Sequence, residues 1–266
     1  MSSVASLTLA AIERGYELLN HVDYRVAETP AEREQIYHLR YRAYLQEGAI
    51  EPRADERVTD RFDDLPNTWI FGVYYDGALA SSIRVSVATP EMPISPSVDA
   101  FSDVLHPELA KGRVIVDPTR FVAEPTRART YRELPYLTVR LGYVGCEHFG
   151  ADLGLASVRA DHAAFYRRVF LQEMMAPARL PPGMIKPVCL MAADYRAVRE
   201  RIFQRYPYFR TSLFERRMLF ERRQPLSLAP NLQADAADAG LVKDLAKDLA
   251  KELAKPKRQP SQSSRG

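Results

Sequence analysis

Two apolar runs, Trp69 to Tyr75 and Ala80 to Val87, are joined across Asp76-Gly77. An Asp-Gly link between strand-like runs sets a tight antiparallel hairpin and pins its register. Beyond the hairpin, strands and helices alternate. Arg113 to Asp117 reads as a short strand, and Tyr131 to Phe149 carries helical periodicity through Leu134, Leu137, Leu141, Val144 and Phe149. Leu155 to Ala160 is a strand, His162 to Phe170 a helix and Pro187 to Ala192 a strand, succeeded by a helix to Tyr206-Pro207. Ahead of the hairpin, Thr29-Pro30 with Glu32 starts a helix over 30–45, and 46–68 is an acidic loop. Residues 89–97, with three prolines, and 122–130 read as loops, with a short helix over Val98 to Leu105. The order predicts an α/β (α+β mixed sheet) domain with helices packed on a central sheet.

The two ends read differently. Ser6 to about Leu19 is amphipathic, and no positive charge precedes its apolar residues, which argues against a secretory leader. Residues 241–255 repeat every four positions, with Leu241, Leu245, Leu249 and Leu253 on one stripe that curls around the helix. This repeat is the feature on which peripheral membrane contact or self-association would rest. After Pro256 the chain is rich in Gln, Ser and Pro. The expected organisation is an N-terminal helix over 1–22, one α/β domain over 23–226 and a tail over 227–266. No apolar run reaches the 18 residues of a transmembrane helix. Two cysteines, Cys146 and Cys189, cannot build a disulfide framework, so a reduced, cytoplasmic protein is the simplest reading.

A net charge of +3 conceals a cancellation. Residues 1–110 hold 9 basic and 18 acidic side chains, and residues 111–230 hold 21 basic and 11 acidic. The basic half is nearly all arginine, with Lys111 and Lys186 its only lysines. It is either a solvated surface or a face for an acidic partner. A non-catalytic module binding a membrane or nucleic acid would use the same charge, but no helix-turn-helix or RNA-binding motif supports the nucleic-acid version.

The chain has no Gly-x-Gly-x-x-Gly, Walker, Gly-x-Ser-x-Gly or His-Glu-x-x-His motif, and its five histidines have no ligand spacing. Metal, nucleotide and redox-cofactor chemistry are therefore not expected. Charges in costly places are the stronger signal. Arg84 lies inside an otherwise uncharged strand, Asp117 ends the central one, and Arg120 comes three residues later. Asp60 and Asp63 flank Phe62 in the acidic loop, and Arg40 lies one helical turn before Tyr44. Buried charges must pair, so three arginines and three aspartates are expected to form one network at the sheet edge. A purely structural ion cluster would leave the same pattern.

Leu39-Arg40-Tyr41-Arg42-Ala43-Tyr44, then Asp60-x-x-Asp63, Arg84, Phe101 and Asp117-x-x-Arg120-Phe121, together resemble the N-acyl amino acid synthases. These are GNAT-like acyltransferases related to the acyl-homoserine-lactone autoinducer synthases, and the resemblance runs from about Tyr24 to Tyr206. Residues His162 to Phe170 resemble the helix after the fifth GNAT strand. Autoinducer synthases usually carry Phe, Trp and Glu where Tyr44, Ile50 and Asp117 stand here, so the resemblance favours the amino acid branch. Ordinary acetyl-CoA GNATs carry a glycine-bearing pyrophosphate loop after the fourth strand, whereas Val122 to Thr130 has no glycine. The resemblance thus implies a donor without the CoA nucleotide, the phosphopantetheine thioester of acyl carrier protein. That acidic partner would match the arginine-rich half.

The implied reaction moves a long-chain acyl group onto the α-amine of an amino acid, with no resident cofactor or metal. Autoinducer synthesis is the alternative. Asp117, helped by Asp60 and Asp63, is expected to take the amine proton directly or through water. Arg84 and Arg120 would fix the acceptor carboxylate or organise the aspartates. Backbone N–H groups near Phe121 would polarise the carbonyl, and Tyr166 would protonate the leaving thiolate. Arg40, Tyr44, Phe101 and Phe121 are candidate substrate-binding residues, with Phe165 a further candidate for the acyl pocket. Arg127, Arg129, Arg132 and Arg167 would dock the donor.

Overall fold

The computed structural model describes residues 12–181 and 184–222. Two units are distinguished, Met1–Glu221 and Arg222–Gly266. Apart from Arg222 the second lies outside the described residues, and so does the Leu/Lys repeat expected over 241–255. The same holds for the part of the amphipathic N-terminal segment up to residue 11. Residues 12–19 are helical (α1).

The hairpin forms as expected. Strand β2 (Thr68–Tyr75) pairs antiparallel with β3 (Ala78–Ala88), and Asp76 and Gly77 both take positive φ at the turn. Before them come β1 (Val22–Val26) and helix α2 (Pro30–Gln46). The helix begins with a complete capping box between Thr29 and Glu32 and with Pro30 in its first turn. Two short helices come after the hairpin, α3 (Pro96–Ala100) and α4 (Ser102–Ala110). Then come β4 (Ile115–Ala123), α5 (Pro125–Thr130), α6 (Leu134–Phe149), β5 (Leu153–Val158) and α7 (Ala163–Phe170). Strands β6 (Glu173–Arg179) and β7 (Val188–Asp194) and helices α8 (Tyr195–Arg205) and α9 (Leu213–Phe220) complete the unit.

The seven strands lie in the order β1-β2-β3-β4-β5-β7-β6. Every neighbouring pair is antiparallel except β4 and β5, which are parallel. That parallel pair is brief: only Ile115 opposite Leu153 and Val116 opposite Gly154 are in register. Beyond them the strands part, leaving Pro118–Ala123 and Leu155–Val158 unpaired with each other. This splayed gap in mid-sheet positions the site.

Strand alternation sorts side chains between the two faces. In β3, Ile83, Val85 and Val87 enter the large core beneath α6, α8 and α9, while Ser82, Arg84 and Ser86 alternate with them. On the opposite face Val98, Phe101, Leu105 and Leu109 of α3 and α4 pack with Ile115, Leu155 and Leu190. Ile36 and Tyr37 of α2 pack on Ile70. Helix α6 reaches the sheet closely because Gly142 carries no side chain: a Cβ there would stand 2.7 Å from Cγ of Pro118.

Candidate active site

Four elements converge on the gap from the α2 face. Helix α2 supplies Arg40 and Tyr44, the acidic loop supplies Asp60 and Asp63, and β3 and β4 supply Arg84 and Arg120. Asp63 is fully buried, and its carboxylate accepts from Nη1 of Arg40 at 2.9 and 3.0 Å and from Nη1 of Arg84 at 3.0 Å. Thr59 Oγ1 donates at 2.9 Å, and the Asp60 backbone N–H at 3.1 Å. Asp60 accepts from Arg84 Nη1 at 2.5 Å, from Arg120 Nη2 and Nε at 2.6 and 3.2 Å, and from the Phe62 N–H at 2.9 Å. Burial alone would raise both carboxyls. For Asp60 the charges of Arg84 and Arg120 outweigh it and hold the carboxyl well below the usual carboxylate range, and for Asp63 those of Arg40 and Arg84 hold it below its ordinary value.

Two of the three expected aspartates are in this network, and the third is not. Asp117 is fully buried and bound elsewhere: Oδ2 accepts from the Ser97 N–H at 2.9 Å and Oδ1 from the Ser97 hydroxyl at 2.6 Å. The Ser97 Oγ lies 2.6 Å from Ser157 Oγ of β5. Burial pushes the Asp117 carboxyl up, opposed by the hydrogen bonds from Ser97 and Ser95 and more weakly by the Arg84 charge. The single six-charge network expected from sequence is thereby corrected. The cause is α3, whose Ser95 cap and Pro96 start bring Ser97 over Asp117. The loop expected over 89–97 hid that start.

Strand β4 bulges beside this cluster. Ser82 pairs with Val122 and Arg84 with Thr119, so Arg120 and Phe121 together oppose Ile83. Arg120 sits at the bulge with φ 55°, a left-handed conformation that costs a non-glycine residue energy and persists only where surroundings enforce it. Its guanidinium is clamped on Asp60 and lies 5.6 Å from the Tyr44 ring centroid. Nη1 of Arg120 faces the sulfur of Met184 at 3.7 Å, a weak acceptor. Arg84 Nε donates to Thr119 Oγ1 at 3.1 Å.

Two cavities open on opposite faces of the gap. That on the α2 face, about 420 Å³, is lined by Tyr44, Asp60, Phe62, Arg84, Thr119 and Arg120, with Ser97 and Ser157 on its wall. On the α6 face is a slot of about 40 Å³, lined by Pro118, Phe121, Gly142, Tyr143, Cys146 and Tyr166, among others. Burial pushes the Tyr166 hydroxyl and the Cys146 thiol up, so both are held protonated. Phe101 lines neither cavity. It is fully buried in the core under α3, with the Arg179 guanidinium 4.9 Å from its ring. Phe165 packs edge-on against Tyr136 and Tyr166.

Of the four arginines expected to dock a donor, Arg127 and Arg129 lie on α5 after β4, Arg132 in the link to α6, and Arg167 in the last turn of α7 after β5. Arg129, Arg132 and Arg167 are exposed, and Arg127 is half-buried. The segment expected as a loop contains α5, which Glu124 caps by accepting from the Arg127 N–H at 2.8 Å. Among the described residues no group of three or more His, Cys, Asp or Glu side chains is arranged to hold a metal. No helix among them is long and apolar enough to cross a membrane.

Residues 35–194, more than half of the chain, match the family of the N-acyl amino acid synthase FeeM. The chain belongs to that family. It is an acyltransferase. The structure of FeeM, an N-acyl amino acid synthase from uncultured soil microbes, matches with a TM-score of 0.57 at 14% identity, over 69% of this chain and 96% of that one. The acyl-homoserine-lactone synthase LasI gives 0.49 at 14% identity, over 65% and 89%. An acyl-CoA N-acyltransferase from Pseudomonas aeruginosa gives 0.44 at 17% identity, over 64% and 98%. No curated protein matches.

Sequence reasoning passed over Ser97, Ser157, Thr119 and Met184. A signal for Ser97 was present, since Ser95-Pro96 is the usual pairing of a capping side chain with proline in the first helical turn. Ser157, Thr119 and Met184 carry no local signal and become visible only when the strands are assembled.

Proposed function

We propose that the protein moves a long-chain acyl group from the phosphopantetheine thioester of an acyl carrier protein to the α-amine of an amino acid. The observation that carries this reading is the cavity on the α2 face, where Arg120 is presented on Asp60 and the wall serines Ser97 and Ser157 lead to the buried Asp117 behind it. Arg120 Nη1 faces the Met184 thioether, and the guanidinium also interacts with the Tyr44 hydroxyl; an acceptor carboxylate is a stronger partner than either. Asp60 holds Arg120 and Arg84 in place rather than taking the amine proton, because the two guanidinium groups keep it ionised and weakly basic. Asp117, with its raised affinity for protons, is the better base.

The amine nitrogen attacks the thioester carbon from the α2 side while the donor arm lies in the gap. Backbone N–H groups of the β4 bulge near Phe121 stabilise the oxyanion. The tetrahedral intermediate collapses with loss of the thiolate, to which Tyr166 gives its proton, and the second proton shed by the attacking nitrogen as the amide forms restores Tyr166. The narrow slot beneath Phe121 and Gly142 would widen around the apolar chain by side-chain movement.

The donor preference rests on α5. Where a nucleotide pyrophosphate would need free N–H groups, Glu124 already accepts from Arg127, and Glu133 stands at the start of α6 with Pro135 beside it. Two carboxylates repel phosphate, whereas the exposed Arg129, Arg132 and Arg167 suit an acidic carrier protein.

Purified protein incubated with matched acyl-carrier and acyl-CoA donors, a panel of amino acids and S-adenosylmethionine tests the reading by product mass. An N-acyl amino acid formed preferentially from the carrier thioester is expected. A homoserine lactone from S-adenosylmethionine, or equal use of both donors, would overturn it.

A further inference from the structure

Asp117 lines neither cavity and is fully buried, so an amine bound in the larger cavity cannot reach it. Its two oxygens are also occupied, one by the Ser97 N–H and one by the Ser97 hydroxyl. A path nevertheless exists. Ser97 Oγ is 2.6 Å from Asp117 Oδ1 and 2.6 Å from Ser157 Oγ, and both serines face the cavity that holds Arg120. The Ser97 hydroxyl has one proton. With Asp117 ionised, as a base must be, its carboxylate can only accept that proton, so the Ser157 hydroxyl supplies the proton of the second contact. That orients the chain one way, from cavity to carboxylate, and leaves the Ser157 oxygen free to accept from a bound amine.

We propose that Ser157 and Ser97 form a proton relay that carries the acceptor's ammonium proton to Asp117. This rests on the acyl-transfer reading above. In the step, Ser157 Oγ takes a proton from the ammonium as its own passes to Ser97 Oγ, and the Ser97 proton passes to Asp117 Oδ1. Both serines end neutral, Asp117 ends as the acid, and the amine is left with the lone pair that attacks the thioester carbon. The same chain run backwards returns the proton to water after the amide leaves. Ser157 is the catalytic group that touches substrate. Ser97 relays the proton and fixes Asp117 through its backbone N–H, and Ser95 and the charge of Arg84 are the other groups acting on the carboxylate.

The relay is tested by comparing wild type with Ser157→Ala, Ser157→Thr and Ser97→Ala in amide formation at saturating donor, with rates also measured across H2O/D2O mixtures. Losing a positioned general base costs on the order of 10²-fold in rate. Ser157→Ala is therefore expected to lose roughly that factor in kcat, with KM nearly unchanged, and Ser157→Thr to recover most of it. Wild type should show a curved dependence on deuterium fraction, from several protons moving together, and Ser157→Ala a linear one. Wild-type kcat and an unchanged curve in Ser157→Ala would overturn the relay. Ser157 is half-buried, so this variant decides even if Ser97→Ala fails to fold. A wild type that forms no amide would sink the acyl-transfer reading and the relay together, whereas an active wild type with an unaffected Ser157→Ala sinks the relay alone.

Discussion

Asp63→Asn should unfold the protein far more readily than a change of one atom suggests. The Asp63 carboxylate is the counter-ion of Arg40, and both side chains are fully buried. Of the Arg40 guanidinium, Nη1 donates to Asp63 and, at 3.5 Å, to the Val58 carbonyl, while Nε and Nη2 have no partner. Neutralising Asp63 leaves a cation in a dry site, and its replacement amide turns an N–H₂ group toward Arg40 or Arg84. Removing one partner of a buried pair costs about 3–5 kcal/mol, a large part of the 5–15 kcal/mol that typically holds a domain folded. For a domain of about 200 residues each kcal/mol shifts Tm by about 2–4 °C, so a fall of about 6–20 °C is expected. Urea and thermal unfolding monitored by circular dichroism at pH 7 measure the loss of free energy and the fall in Tm. The double variant Arg40→Met with Asp63→Leu removes both charges and should recover most of the loss, because the cost lies in the uncompensated ion. An Asp63→Asn variant losing less than about 1 kcal/mol, the range of exposed pairs, would show that no dry, uncompensated cation is left behind.

Acid should act on the same cluster. Asp60 and Asp63 are held below the ordinary carboxylate range, so the unfolded chain binds more protons, and stability present at neutral pH is lost as pH falls through that range; a urea midpoint unchanged between pH 7 and pH 3 would contradict this. Gly142→Ala places a methyl 2.7 Å from Pro118, so α6 or β4 must shift at a cost of about 1–3 kcal/mol, and turnover with long acyl chains should fall more than with short ones in a chain-length series. Replacing Arg127, Arg129 and Arg132 by alanine should raise KM for the carrier donor about tenfold and flatten its dependence on ionic strength, with KM for the amino acid unchanged. Arg120→Lys keeps a charge but cannot hold Asp60 through two nitrogens, and steady-state kinetics should show kcat/KM for the amino acid falling at least tenfold.

The hairpin and the strand–helix alternation could be read from the sequence because their signals are local. Asp76-Gly77 permits little else, and the charge of Arg84 within β3 announced a buried partner. The edge strands were not legible. Val22–Val26 alternates charged residues with apolar ones, and Glu173–Arg179 contains Pro177, which only an edge strand tolerates. Helix α9, eight residues long, was passed over as well. At the site, Arg40, Asp60, Asp63, Arg84 and Arg120 were expected to pair, and they do. Asp117 was expected among them, and its capture by Ser97 depends on a five-residue helix twenty positions away in sequence. The gap between β4 and β5 was invisible for a further reason: it is a property of where two strands stop pairing, which neither strand encodes alone.

Whether acyl transfer runs through Asp117 is decided in one reaction, in which free thiol and N-acyl amino acid are recorded together with purified protein and an acyl carrier thioester. The mechanism predicts one thiol released for each amide formed, thiol release that waits for the amino acid, and loss of both signals in Asp117→Asn while its circular dichroism spectrum remains native. Thiol released at the same rate without an amino acid, or Asp117→Asn turning over at the wild-type rate, would contradict it.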